Sequence, residues 1–257
     1  MRFCFVALIV LASASAPAAA QDQTTAPPKA TPRATPDFLF GRPSGFLTVR
    51  GSWSLARAGS DWYDFVTDQL TLRRSDFNAP GFAVDVGIAV TDRVEAIVGA
   101  DVSRASASSE YRDFVDNNRQ PINQTTHLNE VNVTGSVKWA LHARGRSVST
   151  LAWIPRGLVP YVGGGAGLLR YDLSQKGDFI DALDPRRAIF TDVFESHGWT
   201  PSAHLFGGVD VRAARWLFVT FDARYRWAAG ELSRQWVDFD PVDLSGLRLS
   251  TGVSVPF

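Results

Sequence analysis

From Phe46 to Phe257 the chain repeatedly alternates apolar and polar residues, with polar, turn-rich stretches between the runs. Successive side chains of a β-strand point to opposite faces, so each run predicts a strand with one oily and one polar face. Strand one covers about Phe46 to Leu55, with Leu47, Val49, Trp53 and Leu55 opposite Thr48, Arg50, Ser52 and Ser54. Strand two sets Phe82, Val84, Val86, Ile88 and Val90 against Ala83, Asp85, Gly87 and Ala89; strand three sets Val94, Ala96, Val98, Ala100 and Val102 against Glu95, Gly99, Asp101 and Ser103. Strand four opposes Val131, Val133, Val137, Trp139 and Leu141 to Glu130, Asn132, Thr134, Ser136 and Lys138. Strand five, about Val159 to Leu173, is Gly-rich and places Tyr161, Leu169 and Tyr171 opposite Arg170 and Asp172. Strand six has Ala203, Leu205, Val209 and Val211 against Ser202, His204, Asp210 and Arg212. Strand seven has Leu217, Val219, Phe221, Ala223, Tyr225 and Trp227 against Thr220, Asp222, Arg224 and Arg226. In strand eight Leu247, Leu249, Thr251, Val253, Val255 and Phe257 alternate with Gly246, Arg248, Ser250, Gly252, Ser254 and Pro256.

In this register the apolar faces carry no charge. A Lys or Arg in the middle of a lipid-facing strand costs about 2–4 kcal/mol, so lipid exposure accounts for the pattern; a dry sandwich core would do the same. Two further features favour lipid. Trp53, Phe82, Tyr171, Tyr225 and Trp227 fall near one set of strand ends and Trp139, Tyr161 and Phe257 near the other, as interfacial girdles require. The links after strands one, three, five and seven are long, at about 56–80, 104–127, 174–201 and 228–245, whereas those after strands two and six are about three residues. Only the link at 142–158 breaks the alternation. Because no water reaches the bilayer core to satisfy backbone groups, a spanning sheet must close on itself. The expected fold is therefore all-β: an eight-stranded antiparallel up-and-down transmembrane β-barrel over 45–257, with its long loops outside the cell.

The polar faces then line a narrow interior. The charges predicted there are Arg50, Asp85, Glu95, Asp101, Glu130, Lys138, Arg170, Asp172, Asp210, Arg212, Asp222, Arg224, Arg226 and Arg248. Acids and bases balance, which suits a network of pairs filling the lumen; a polar conduit is the alternative. Eight-stranded barrels are just wide enough for side chains to fill.

Three elements carry a family resemblance: Val159-Pro160-Tyr161-Val162-Gly163-Gly164-Gly165-Ala166-Gly167, Phe221-Asp222-Ala223-Arg224-Tyr225, and the strand ending on Phe257. Together they resemble the broad grouping of small eight-stranded bacterial outer-membrane barrels that includes OmpA-like, OmpW-like and opacity-type proteins. The resemblance covers about 45–257. It implies a bacterial outer-membrane location, contact with outer-membrane lipid and lipopolysaccharide, and handling by the barrel-insertion machinery through a signal at Val253, Val255 and Phe257. It leaves function open, since the grouping holds adhesins, structural anchors and small hydrophobic-solute channels. It brings no peptidoglycan-binding domain.

The first twenty residues have the layout of a secretory signal peptide: Arg2, an apolar run from Phe3 to Ala14, and Ala18-Ala19-Ala20 before Gln21. Residues 21–44 begin Thr-, Pro- and Ala-rich and read as an extended periplasmic linker. The sole cysteine is Cys4, within the signal, so the mature chain has no thiol chemistry or disulfide. With 26 basic and 26 acidic residues overall, nothing calls for a nucleic-acid partner.

Candidate chemistry is sparse. His127, His142, His197 and His204 are followed two positions on by Asn129, Arg144, Trp199 and Phe206, so the His-x-Ser pair of barrel deacylases is absent. Glu195-Ser196-His197 has the residue types of a nucleophile with its base, but adjacent side chains diverge. No zinc-type spacing appears, and the strand-five glycines lack a phosphate-loop ending. Asn123-Gln124-Thr125 fits a glycosylation acceptor, against the expectation for a bacterial protein. The outer loops mix Trp62, Tyr63, Phe65, Tyr111, Phe114, Phe179, Phe190, Phe194 and Trp236 with charges; they can pack as a lid or bind a partner, an apolar solute or lipopolysaccharide. The expected protein is a non-enzymatic outer-membrane barrel without cofactor, serving envelope structure or surface interaction. The alternative is a carrier or narrow channel for small hydrophobic molecules, and a soluble secreted β protein stands behind both.

Overall fold

The computed structural model describes residues 38–149, 151–181, 184 and 188–257. Eight antiparallel strands form a closed ring: β1 (Gly45–Ala56), β2 (Ala79–Ala89), β3 (Val94–Val115), β4 (Pro121–Ala140), β5 (Leu158–Ile180), β6 (Ile189–Ala214), β7 (Leu217–Gly230) and β8 (Gly246–Pro256). Each pairs with its sequence neighbours, and β8 pairs with β1 through Gly246↔Ala56 to Pro256↔Phe46, which closes the ring. At the seam the Ser44 and Gly45 amides donate to the Phe257 carbonyl at 2.7 and 3.1 Å, and Phe257 N–H donates to Gly45 O at 2.9 Å. A Cβ at Gly45 would meet the Phe257 ring at 2.7 Å, so the seam needs glycine there.

The outward positions of β1–β4 and β6–β8 are those the alternation marks as apolar. Val98, Ile88, Leu205, Trp139 and Phe221 are half to two-thirds exposed although they sit within regular strands. A contiguous apolar belt of this size is stable only against another apolar phase. Among the described residues nothing covers the belt, and a closed sheet satisfies its own backbone groups. The belt therefore faces hydrocarbon.

Four expectations are corrected. β5 has the opposite facing: Tyr161, Leu169, Tyr171 and Leu173 are buried inside, while Arg170 and Asp172 are exposed on the outer face. The glycines at 163–165 and 167 give no alternation to fix the phase, and the inward residues beyond them are apolar because they meet a core at the barrel mouth. Tyr161 and Tyr171 thus leave the girdles, and Trp199 and Trp216 stand exposed in them.

Second, the links after strands three and five are short, at 116–120 and 181–188, because β3, β4, β5 and β6 run on far past the belt. About 9–11 residues cross a bilayer; the remainder rises above it. Beyond the hydrocarbon the outward face need not be oily, so the alternation fades where the strand continues.

Third, the connection 141–157 is folded. Gly145–Ser149 and Ala152–Pro155 form a hairpin. Leu39–Phe40, assigned to the linker, adds a third strand through Leu39↔Trp153 and Phe40↔Ala152. The signal-peptide region and residues 21–37 lie outside the described residues.

Fourth, the first long loop is structured. Helix α1 (Asp61–Gln69) begins with Asp61 and Asp64 in its first turn, where acidic side chains offset the positive end of the helix dipole. A 3₁₀ turn, Arg74–Phe77, follows.

Candidate functional site

The interior is built in tiers below this loop. The uppermost tier is an aromatic plug. Trp62, Tyr63, Val66, Leu70, Leu72 and Phe77 from the first loop are buried with Trp236, Val242 and Leu244 from the last loop and with inward Leu128, Leu169, Tyr171 and Leu173. Trp62 is the hub, edge-to-face with Tyr63 at 4.9 Å, Trp236 at 5.7 Å and Phe77 at 5.8 Å. Polar ties hold the plug to the wall and its two loops to each other: Arg112 donates to the carbonyls of Thr67 and Leu72, Thr71 N–H donates to Glu110 O at 2.8 Å, and Asp61 in the first loop accepts from Asp240 N–H in the last.

Beneath it lies the first ionic tier. Arg226 Nη2 donates to both oxygens of Glu130 at 2.8 and 2.7 Å. Arg248 pairs with Asp101 and lies 3.8 Å from Glu130. Ser103 donates to Glu130 at 2.9 Å, and Asn132 links Asp101 at 3.2 Å to Ser202 at 3.0 Å. In the middle tier Arg50 bridges Asp85 and Asp222, the latter at 3.3 Å. Arg224 lies 3.7 Å from Asp222 and over the Phe206 ring at 4.7 Å. The lowest tier pairs Lys138 with Asp210 at 2.8 Å, with Lys138 also 3.8 Å from the Tyr161 ring centre. Glu95 pairs with Arg144, whose guanidinium lies 4.4 Å over Phe46. Gly87 and Gly99 leave the space that the Glu95 and Asp85 carboxylates occupy.

Of the fourteen charges read as interior, eleven meet in these tiers. Arg170 and Asp172 do not, as described, and Arg212 stands half-buried toward the short-turn end of β6. Arg144 is the member the sequence did not reveal, because it sits in a connection where no alternation assigns a face. Each of the six buried acids among the described residues has a basic partner, so the desolvation cost of a lone buried charge is avoided at every one.

Little space remains. A cavity of about 40 Å³ lies between plug and first tier, lined by Tyr63, Phe77, Glu130, His204 and Arg248 among others, and one of about 20 Å³ lies around Arg50, Lys138 and Tyr161. At 10–15 Å³ or more per water, the larger holds about three waters and no solute.

The hydroxyl and imidazole chemistry present does not assemble. Ser136 Oγ and His204 Nε2 are 2.9 Å apart, but His204 Nδ1 has no hydrogen-bond partner among the described residues, and the cavity beside the pair has no room for an acyl chain. In Glu195-Ser196-His197 the serine points inward and is buried while its neighbours are exposed on the opposite face. Among the described residues, no cluster of three or more His, Cys, Asp or Glu is placed to hold a metal.

The fold and the filled interior define a small transmembrane β-barrel of the bacterial outer-membrane type. No family model matches the sequence, and no curated protein matches it. Solved structures similar to it include Neisserial surface protein A, at 11% identity and TM-score 0.47 over 83% of this chain and 97% of the other. Others are the outer membrane protein OprG from Pseudomonas aeruginosa, at 12% and 0.43 over 85% and 99%, and Ail, the attachment invasion locus protein of Yersinia pestis, at 12% and 0.40 over 83% and 99%. At such identities the likeness concerns fold alone.

Proposed function

We propose that this protein is a closed outer-membrane barrel that acts through its outer end, in envelope structure or surface interaction, and that it neither conducts nor catalyses. The observation that carries this reading is the stack of paired charges capped by an aromatic plug, with cavities of about 40 and 20 Å³ between the tiers. A conduit needs a continuous wet path and charges free to exchange partners with a passing ion; here each buried acid is held by a neighbour. A carrier that passes its solute through the lumen needs a solute-sized chamber there, and the cavity beneath the plug, at about 40 Å³, is too small for one. Val253 and Val255 on the outer face of β8, with Phe257 locked against Gly45, support the expected role of this strand end in barrel insertion. The test is conductance in planar bilayers. The purified protein should give no steps above leak; regular single-channel openings of the wild type would overturn the closed-lumen reading.

A further inference from the structure

The short-turn end of the barrel carries a surface that the closed lumen does not use. There the hairpin Gly145–Ser149 and Ala152–Pro155 and the strand Leu39–Phe40 form a three-stranded sheet, with Ala152–Pro155 in the middle. The hairpin leaves the ring between β4 and β5, yet it pairs with the segment that feeds β1, on the opposite side of the ring. Arg144 enters the lumen mouth to pair with Glu95, and Trp153 is buried beside Phe46. The small sheet therefore lies across the mouth, and its other face looks away from the barrel.

Residues opposite one another in a ladder share a face, so Phe40, Ala152, Ile154 and Arg146 stand together on the face that looks away. Phe40 is 85% exposed, and Val148 and Leu151 at the hairpin tip are exposed as well. An uncovered apolar face is one mark of a binding surface. The second mark is an open edge. Gly145–Ser149 pairs on one side only, and among the described residues no backbone group bonds along its other side. Even Ser147, on the barrel side of the sheet, is exposed. An open strand edge is a template for pairing with another chain. The bulge between Ser147 and Ser149 keeps any added strand short.

The third mark is charge. The connections at this end, 38–44, 90–93, 141–157 and 213–216, hold six arginines and one acid, Asp92. Arg42 pairs with Asp92 and Arg144 with Glu95. Arg146 and Arg156 are exposed at the open edge, where the Arg156 amide donates to Arg144 O at 2.7 Å. Such a field favours an anionic partner. A lipid phosphate would meet the arginines alone; a polypeptide strand also matches an open edge and an apolar face.

Resting on the reading that the barrel spans the outer membrane with its long loops outside, we propose that the small sheet docks a periplasmic protein, which adds a short acidic strand to the Gly145–Ser149 edge. Acidic side chains of that strand meet Arg146 and Arg156, and its apolar ones extend the face formed by Val148, Ile154 and Phe40.

The probe is a short fluorescein-labelled peptide of alternating Glu and Val, titrated by anisotropy against the detergent-purified full chain. Wild type should bind it, and Arg146→Glu with Arg156→Glu should weaken binding at least roughly tenfold. The same peptide methylated on every backbone nitrogen keeps its side chains and loses its donors; it should not bind, and neither should a peptide of alternating Lys and Val. Undiminished binding by the double variant would overturn the site. Equal binding of the methylated peptide would overturn strand addition and leave charge alone, which an anionic lipid or glycan would satisfy. On cells producing the protein, the probe should label only after the outer membrane is permeabilised; labelling of intact cells would overturn the periplasmic assignment. Each sample is also run unheated and boiled on gels. A folded-barrel shift without peptide binding sinks only this inference; absence of the shift in the wild type sinks the barrel reading and this inference with it.

Discussion

Asp210→Ala should destabilise the barrel by about 3–5 kcal/mol, the cost of leaving a buried partner charge uncompensated. Lys138 Nζ sits 2.8 Å from Asp210, and both side chains are nearly inaccessible. Its other neighbour, the Tyr161 ring at 3.8 Å, cannot replace a carboxylate. The effect belongs to the broken pair and not to the pair as such. Removing both charges together, as Lys138→Met with Asp210→Leu, should recover most of the loss, because a well-packed apolar pair substitutes for a buried ion pair at little cost. Urea midpoints of the variants refolded into lipid vesicles measure both. An Asp210→Ala variant as stable as wild type would mean that the lumen is wet enough to hydrate Lys138.

The second large effect concerns the plug. Trp62→Ala removes the hub of an aromatic cluster, whose three ring contacts lie between 4.9 and 5.8 Å, and truncating a buried Trp or Phe costs about 3–5 kcal/mol. The loss should fall on the loops and not on the ring, since the strand ladders are independent of Trp62. Trypsin should cut the first loop at Arg57, Arg73 or Arg74 much faster in the variant, while the heat-dependent gel shift persists. Unchanged protease resistance would place the stability of the plug in its polar ties to Arg112 and Glu110.

The membrane-embedded part of this fold was legible because the bilayer imposes a simple rule on every outward residue. In β2, β3, β4, β7 and β8 that rule gave strand, facing and most interior charges from the pattern alone. It failed where the rule does not operate. Above the belt, Ser106 and Ser108 on β3 face outward without being apolar, so the strand is invisible to alternation although its ladder to β4 continues. In β5 the glycines carry no side chain to set a phase, and the inward Leu169, Tyr171 and Leu173 serve the plug, reversing the usual sign. Arg144 and the strand Leu39–Phe40 are fixed by contacts distant in sequence, which no local pattern encodes. The aromatic loop residues were visible as a set, but their division between plug and surface was not. Trp62, Tyr63 and Trp236 go inward, whereas Phe65 stays half exposed against Phe239 at 5.3 Å.

The protein is a hydrogen-bonded ring that closes in lipid around a packed interior. The most direct test is electrophoretic mobility of the protein extracted from outer membranes in detergent, with and without boiling. A closed barrel predicts a compact, faster-migrating band before heating that converts to the full-length position afterwards. A single unshifted band, together with recovery of folded protein from the detergent-free soluble fraction, would contradict it.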